Sequence, residues 1–211
     1  PIRLCPNAVT SFAPLSAGAI PVPGPLAEHT GAVKLFCLSR YYPHKNMEAL
    51  VALFARHRQE LAGHRLILTL SPDHGPRAVR LLASIHEHGL QDQIINVGPL
   101  PQTDLEAYYA HCHALILPTL LESFSATYIE AMHFGCPILT SDLDFAHEIC
   151  GDAALYFDPW STESILHTIE QLPMHPDLAE RGRARLKQHF RTWDEIAADV
   201  LEGLYSIARS D

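Results

Sequence analysis

No apolar run in the 211 residues approaches the length, about 20, that a membrane-spanning helix needs. The N-terminus also lacks a basic segment leading into an apolar one, as a secretory leader would have. Positive charge is scarce: 15 Lys and Arg face 24 Asp and Glu, for a formal charge of −9. That balance leaves no global basic field to draw nucleic acid or an anionic membrane. Cysteine is sparse and odd in number, at Cys5, Cys37, Cys112, Cys136 and Cys150. With apolar neighbours and no framework spacing, these read as free thiols in a reducing compartment, so a cytoplasmic location is expected. Peripheral attachment to a membrane stays compatible with this, through a basic surface on another domain. Internal repeats and low-complexity tracts are missing too.

What is present is the balance of a folded globular chain, 47% hydrophobic and 18% charged residues. Its length suits one large α/β domain. Residues 1–30 carry Pro1, Pro6, Pro14, Pro21, Pro23 and Pro25. Proline fixes φ and removes a donor, so this stretch is expected to be an extended connector, with the folded domain at 31–211. From Ala32 onward apolar runs alternate with helical periodicity. Strands are expected at 33–38, 66–70, 94–97, 114–117, 137–140 and 154–157. Helices are expected at 47–60, with Leu50, Val51 and Phe54 on one face, and at 77–87, with Val79, Leu82 and Ile85. Thr103 with Glu106, and Thr192 with Glu195, read as capping boxes opening two further helices. The last helix carries an apolar stripe of Trp193, Ile196, Ala197, Val200, Leu201, Leu204 and Ile207. Strand-helix alternation of this kind predicts a doubly wound parallel sheet, Rossmann-like, with ligands beyond the carboxyl ends of its strands.

The chemistry concentrates in LILPTLLESFSATYIEAMHFGCPILTSD, residues 115–142. A strand ends at Pro118, a polar loop follows, and a helix at 126–134 leads through Gly135 into the next strand. Glu122 lies in the loop and Glu130 in the helix, with seven residues between them. A loop can fold Glu122 back above the helix start, so both carboxylates are expected to face one ligand. The amides near Ser125 and Ala126 open the helix and suit a phosphate. A nucleotide diphosphate-sugar supplies one: Glu130 can accept from both ribose hydroxyls and Glu122 from hydroxyls of the sugar.

ESFSATYIEAMHFGCPI resembles the donor-binding motif of the group 1, GT-B-fold retaining glycosyltransferases, E-G-F-G-x-P-x-x-E-A-x-x-x-G-x-P. Glu122, Phe124, Glu130, Ala131, Gly135 and Pro137 match, while Ser123, Ser125 and Thr127 replace Gly, Gly and Pro. LSRYYPHKNMEALV resembles the segment in which an Arg and a Lys meet the diphosphate, mapping onto Arg40 and Lys45. NVGPLPQTDLEAYYAHCHALILPT resembles the base-contacting loop and the elements after it, with Gly98 and Leu100 as candidates. EICGDAALYFDP resembles the closing strand segment, and CPNAVTSFAP the interdomain linker. The resemblance spans nearly the whole chain. It implies the C-terminal half of a GT-B enzyme that transfers sugar with retention at the anomeric carbon. No cofactor or metal is implied, and a separate N-terminal domain would bind the acceptor. In that picture the donor rests on Arg40, Lys45, Gly98, Leu100, Ser123, Phe124, Ser125, Ala126 and Glu130, with Glu122 as the catalytic candidate. The chain alone would then bind donor without transferring sugar. The last helix would pack partly against the missing domain.

Two other readings compete. A non-catalytic sugar-nucleotide-binding module is permitted by the serines that replace loop glycines. An NAD-dependent enzyme would need G-x-G-x-x-G after the first strand, and LSRYYPHKN has none. The remaining histidine and cysteine groupings read as structural. His111, Cys112 and His113 diverge on a helix, Cys136 reads as a core thiol, Trp193 as a packing residue, and the Glu180–Lys187 charges as a solvated face. The loop at 71–75 receives no ligand assignment.

Overall fold

The structure, a computed structural model, describes residues 16–208. Cys5, Pro1, Pro6, Pro14 and the linker-like CPNAVTSFAP stretch up to residue 15 lie outside the described residues. Six strands, β1 (Val33–Cys37), β2 (His64–Leu68), β3 (Ile94–Asn96), β4 (Ala114–Leu117), β5 (Ile138–Ser141) and β6 (Ala154–Phe157), form one sheet ordered β3-β2-β1-β4-β5-β6. Every pairing is parallel. Nine helices are described: α1 (Gly24–Ala27), α2 (Met47–Arg56), α3 (Pro76–Glu87), α4 (Leu105–His111), α5 (Ala126–Phe134), α6 (Asp144–Cys150), α7 (Thr162–Gln171), α8 (Leu178–His189) and α9 (Trp193–Ala208). The expected doubly wound sheet is therefore present, and each predicted strand matches one of its members.

The central strands are apolar on both faces because helices cover both sides. Leu35, Phe36, Leu66, Ile67, Leu115 and Ile116 are all fully buried. The order reverses between β1 and β4, so the connections from these two neighbours leave in opposite directions and open a crevice at their carboxyl ends.

Several local expectations need correction. Within the proline-rich start, residues 24–27 form α1 and Leu26 is fully buried, so the extended connector stops short of Gly24. Helix α2 ends at Arg56 rather than at 60. On α3 the buried side chains are Ala78, Leu81 and Ile85, with Val79 exposed. The two candidate stripes share Ile85 and differ by about one residue of rotation, which contact with the sheet decides. The Thr103–Glu106 box does not form: Thr103 bonds Asp104 at 3.0 Å, and Glu106 accepts from the Ser16 hydroxyl and amide instead. The Thr192–Glu195 box does form, with reciprocal bonds of 2.7 and 3.3 Å. Along α9 Ile196 is buried, whereas Trp193, Val200, Leu201 and Leu204 are exposed, so Trp193 is not a packing residue within these residues.

The Glu180–Lys187 face is not simply solvated. Arg185 donates from Nε to the Ile149 carbonyl at 2.7 Å and from Nη2 to that of Glu148 at 2.6 Å, closing the C-terminal end of α6. Arg181 reaches the Asp152 carbonyl at 2.6 Å. Arg183 lies over Gly135, the left-handed residue (φ 70°) that ends α5. Cations over the free carbonyls of helix C-termini are electrostatically favoured. Gly182 lets α8 approach α5 closely, since a Cβ there would already touch Met132 at 3.4 Å.

Candidate functional site

A cavity of about 580 Å³ lies at the carboxyl ends of the strands, where the order reverses. Four successive connections line it: Arg40 and Lys45 after β1, Thr69 and His74 after β2, Leu100 after β3, and Thr127 and Glu130 on α5. Each loop is fixed by side chains that take over backbone pairing where the strands stop. The Thr69 hydroxyl accepts from the Ser39 amide at 3.2 Å and donates to the Ser39 carbonyl at 3.3 Å. The Asn96 amide group bonds both backbone groups of Leu70, at 2.8 and 3.0 Å, which continues the β2–β3 ladder past its end.

Lys45 sits in a short turn, Pro43–Lys45, that docks on the loop after β4. The His44 carbonyl accepts from the Leu120 amide at 2.7 Å and from the Thr119 hydroxyl at 3.2 Å. This contact lets Lys45 Nζ form an ion pair with Glu122, 77 residues away in sequence. The two side chains are only 16% and 10% exposed, so solvent weakens the pair less than it would at an open surface. Asn46, the non-glycine residue with positive φ (51°) among the described residues, anchors the same turn by donating to the Pro159 carbonyl at 3.0 Å.

Glu130 is half-buried, and burial pushes its carboxyl above the ordinary glutamate range. The Tyr109 hydroxyl, 3.2 Å from Oε2, partly offsets this by stabilising the anion. Tyr109 is almost wholly buried and also reaches the Thr127 carbonyl at 3.3 Å, so it holds the first turn of α5. No sequence signal marked Tyr109, because its partner lies 21 residues away on another helix.

Glu122 is not among the residues that line this cavity. Glu122, with Ser123 and Phe124, borders a second space of about 570 Å³ shared with Phe145, Glu148, Arg185 and Phe190. Phe124 meets Phe190 edge-on, with centroids 6.4 Å apart. Lys45 links the two spaces, lining the first and pairing with Glu122 in the second. At the start of α5, Ser125 is buried with φ −103°, Ala126 is exposed, and no side chain caps the helix. Neither Ser123 nor Ser125 has positive φ, so the serines replace the family's loop glycines without backbone strain. Leu100 lines the first cavity; Gly98, at φ 75°, turns the chain just before it and is not itself in the lining. Arg40 is exposed there.

The histidine and cysteine groupings go elsewhere. His111 Nε2 pairs with the Ile20 carbonyl at 2.8 Å, and His113 Nδ1 accepts from the Lys34 amide at 3.0 Å. Cys112 is buried between them. Burial pushes the thiols of Cys37, Cys112 and Cys150 up to about 12, and that of Cys136 higher still, so none carries thiolate at neutral pH.

The sequence profile of the family described as "Glycosyl transferases group 1" matches residues 24–189. The chain belongs to the group 1 glycosyl transferases. Among curated members it is 28% identical over 135 residues to the O-antigen chain mannosyltransferase RfbU of Salmonella typhimurium, covering 63% of this chain and 37% of RfbU. It is 24% identical over 181 residues to the GDP-mannose-dependent alpha-(1-6)-phosphatidylinositol monomannoside mannosyltransferase of Mycobacterium tuberculosis, covering 80% and 46%. The chain thus spans less than half the length of either. Its fold is also that of Anabaena Alr3699/HepE, solved in complex with UDP: TM-score 0.71, 18% identity, 85% of this chain and 50% of that one. Among the described residues no helix is long and apolar enough to cross a membrane.

Proposed function

We propose that this group 1 glycosyl transferase chain is the donor-binding half of a retaining enzyme that moves a sugar from a nucleoside diphosphate to an acceptor hydroxyl. The observation that carries the reading is the cavity that joins Arg40, Lys45 and Glu130 at the reversal of strand order, beside the uncapped start of α5. An anionic diphosphate fits the two cations and the free amides. Glu130 accepts from the ribose, and Leu100 and its loop lie where the base would extend. As the bond from the anomeric carbon to the diphosphate breaks, negative charge grows on the leaving group, and these cations are already in place to stabilise it. No bound cofactor is called for in this reading.

Glu122 pairs with Lys45. An arriving diphosphate competes for that ammonium, and its binding releases Glu122 towards the hydroxyls of the sugar. Glu122 thereby takes its assigned role through displacement.

Mannose is the first sugar to test, because RfbU and the mycobacterial relative are both named mannosyltransferases. The GDP-mannose dependence of the latter favours GDP, and the UDP bound by HepE makes uridine the competing base. The acceptor half belongs to a partner domain outside these residues. The phosphatidylinositol named for the mycobacterial relative supports an acceptor held at a membrane surface.

Calorimetric titration with GDP, UDP, GDP-mannose and UDP-glucose tests the reading. At least one should bind, and Lys45→Met and Arg40→Met should each weaken it and reduce its salt dependence. If the folded chain binds none of the four, the donor-site assignment is wrong.

A further inference from the structure

The loop after β2 matched no motif of the family, yet it places His74 in the cavity with Arg40 and Lys45. A short turn, Pro72–His74, begins at Ser71, whose hydroxyl accepts from the Asp73 amide at 3.2 Å. His74 answers in return, with Nδ1 accepting from the Ser71 amide at 3.2 Å. The imidazole thus stands where Glu or Gln completes a capping box. The same Nδ1 accepts from the Tyr41 amide at 3.3 Å, tying the loop after β1 to the loop after β2.

Two amide donors converging on Nδ1 require its lone pair, so the single proton of the neutral ring resides on Nε2. A glutamate would close the turn as well as histidine does. What imidazole adds is a rigid N–H on the other side of the ring, in a cavity that already holds two cations. Burial first, and then the charge of Arg40, hold the basicity of the ring below the usual histidine range, against a smaller opposing effect of Asp73. The ring therefore stays a neutral donor at physiological pH.

We propose that His74 is a donor-site residue whose Nε2–H donates a hydrogen bond to the diphosphate drawn in by Arg40 and Lys45. The assignment rests on the nucleoside-diphosphate reading above. It also makes His74 a strut, since one ring fixes the Arg40 loop with Nδ1 and the ligand with Nε2. A neutral donor differs from the two cations in a measurable way: it strengthens binding without adding counter-charge, so its loss leaves the salt dependence unchanged.

The test uses GDP and inorganic pyrophosphate as probes. Asparagine places an acceptor close to the position of Nδ1 but nothing at Nε2, so His74→Asn should melt with the wild type and bind both probes about tenfold more weakly. Its salt slope should match that of the wild type, whereas the slope for Lys45→Met should fall. Wild-type affinity in His74→Asn overturns the inference while leaving the donor site intact. A wild-type protein that binds neither probe overturns the donor site itself. If the asparagine variant melts early, the wild-type protein decides. With ¹⁵N-labelled histidine, assigned by loss of signal in His74→Gln, the ring must show Nδ1 bare and Nε2 protonated, and Nε2 must shift on saturation with GDP. A ring protonated at Nδ1, or an Nε2 resonance that GDP leaves in place, refutes the assignment.

Discussion

Replacing Glu130 by glutamine exchanges one carboxylate oxygen for an amide nitrogen in a half-buried position, and the consequences for binding and for stability have opposite signs. The anion offers charge-assisted acceptors to the two ribose hydroxyls, each such bond being worth about 1.5–3 kcal/mol. Loss of one corresponds to a weakening of about ten- to hundredfold. GDP and GDP-mannose should weaken by the same factor, because both carry the ribose. Stability should move the other way. Burial raises the carboxyl in the folded protein, so the ionised form opposes folding. That cost is absent below the unfolded value and grows as pH rises through the folded one. At neutral pH the glutamine variant escapes the cost and keeps an oxygen for the Tyr109 hydroxyl. Its melting temperature should equal or exceed that of the wild type at pH 7, with the advantage vanishing at acid pH. Wild-type binding should decline as pH falls through the raised value of Glu130, while binding by the variant should stay flat there. Calorimetry and thermal melts across pH test both halves. Unchanged affinity, or a melting temperature that drops at pH 7, would refute the placement of Glu130 as a buried ribose acceptor.

Glu122→Ala should leave GDP binding unchanged or tighter, since Lys45 loses its internal partner, while the preference for GDP-mannose over GDP should shrink; an unchanged ratio in titrations rules out a sugar contact. Gly135→Ala forces a side chain onto φ 70° and displaces Arg183, whose Nη1 would lie 1.7 Å from the new Cβ. The cost of about 1–2 kcal/mol should lower the melting temperature by roughly 2–8 °C, and an unchanged melt contradicts the strain. Because the cations are supplied by side chains, binding of the nucleoside diphosphate should survive saturating EDTA; its loss on chelation, with recovery on adding a divalent ion, would show that a metal shares the site.

The fold was legible because its signals are local. Strands β4 and β6 and helix α5 are all bounded where the apolar runs and Gly135 place them. Arg40, Lys45, Leu100 and Glu130 were legible as one group because they follow strand ends that a parallel sheet collects on one edge. What remained hidden depends on pairs distant in sequence. Tyr109 acquires its role only when α4 packs beside α5, and His74 only when the loops after β1 and β2 meet. The pairing of Glu122 with Lys45 depends on the docking of the Lys45 turn, which no spacing between the two glutamates encodes. The Thr103–Glu106 pattern failed for a similar reason, since Ser16, 90 residues away, claims the carboxylate.

Helix α8 lends no residue to the lining of the first cavity, yet Arg183 lies over Gly135 at the end of α5 and Arg185 bonds carbonyls at the end of α6. A shortened chain ending before Leu178 would retain the residues that line the first cavity and would still lose the backing of the helix that carries Glu130. The Glu148 and Ile149 carbonyls would lose their guanidinium partner, and Met132 would be uncovered where Gly182 now lies. The smallest unit able to hold a donor is therefore longer than the smallest unit able to contact one, and its boundary is drawn by the ends of helices on the far side of the site.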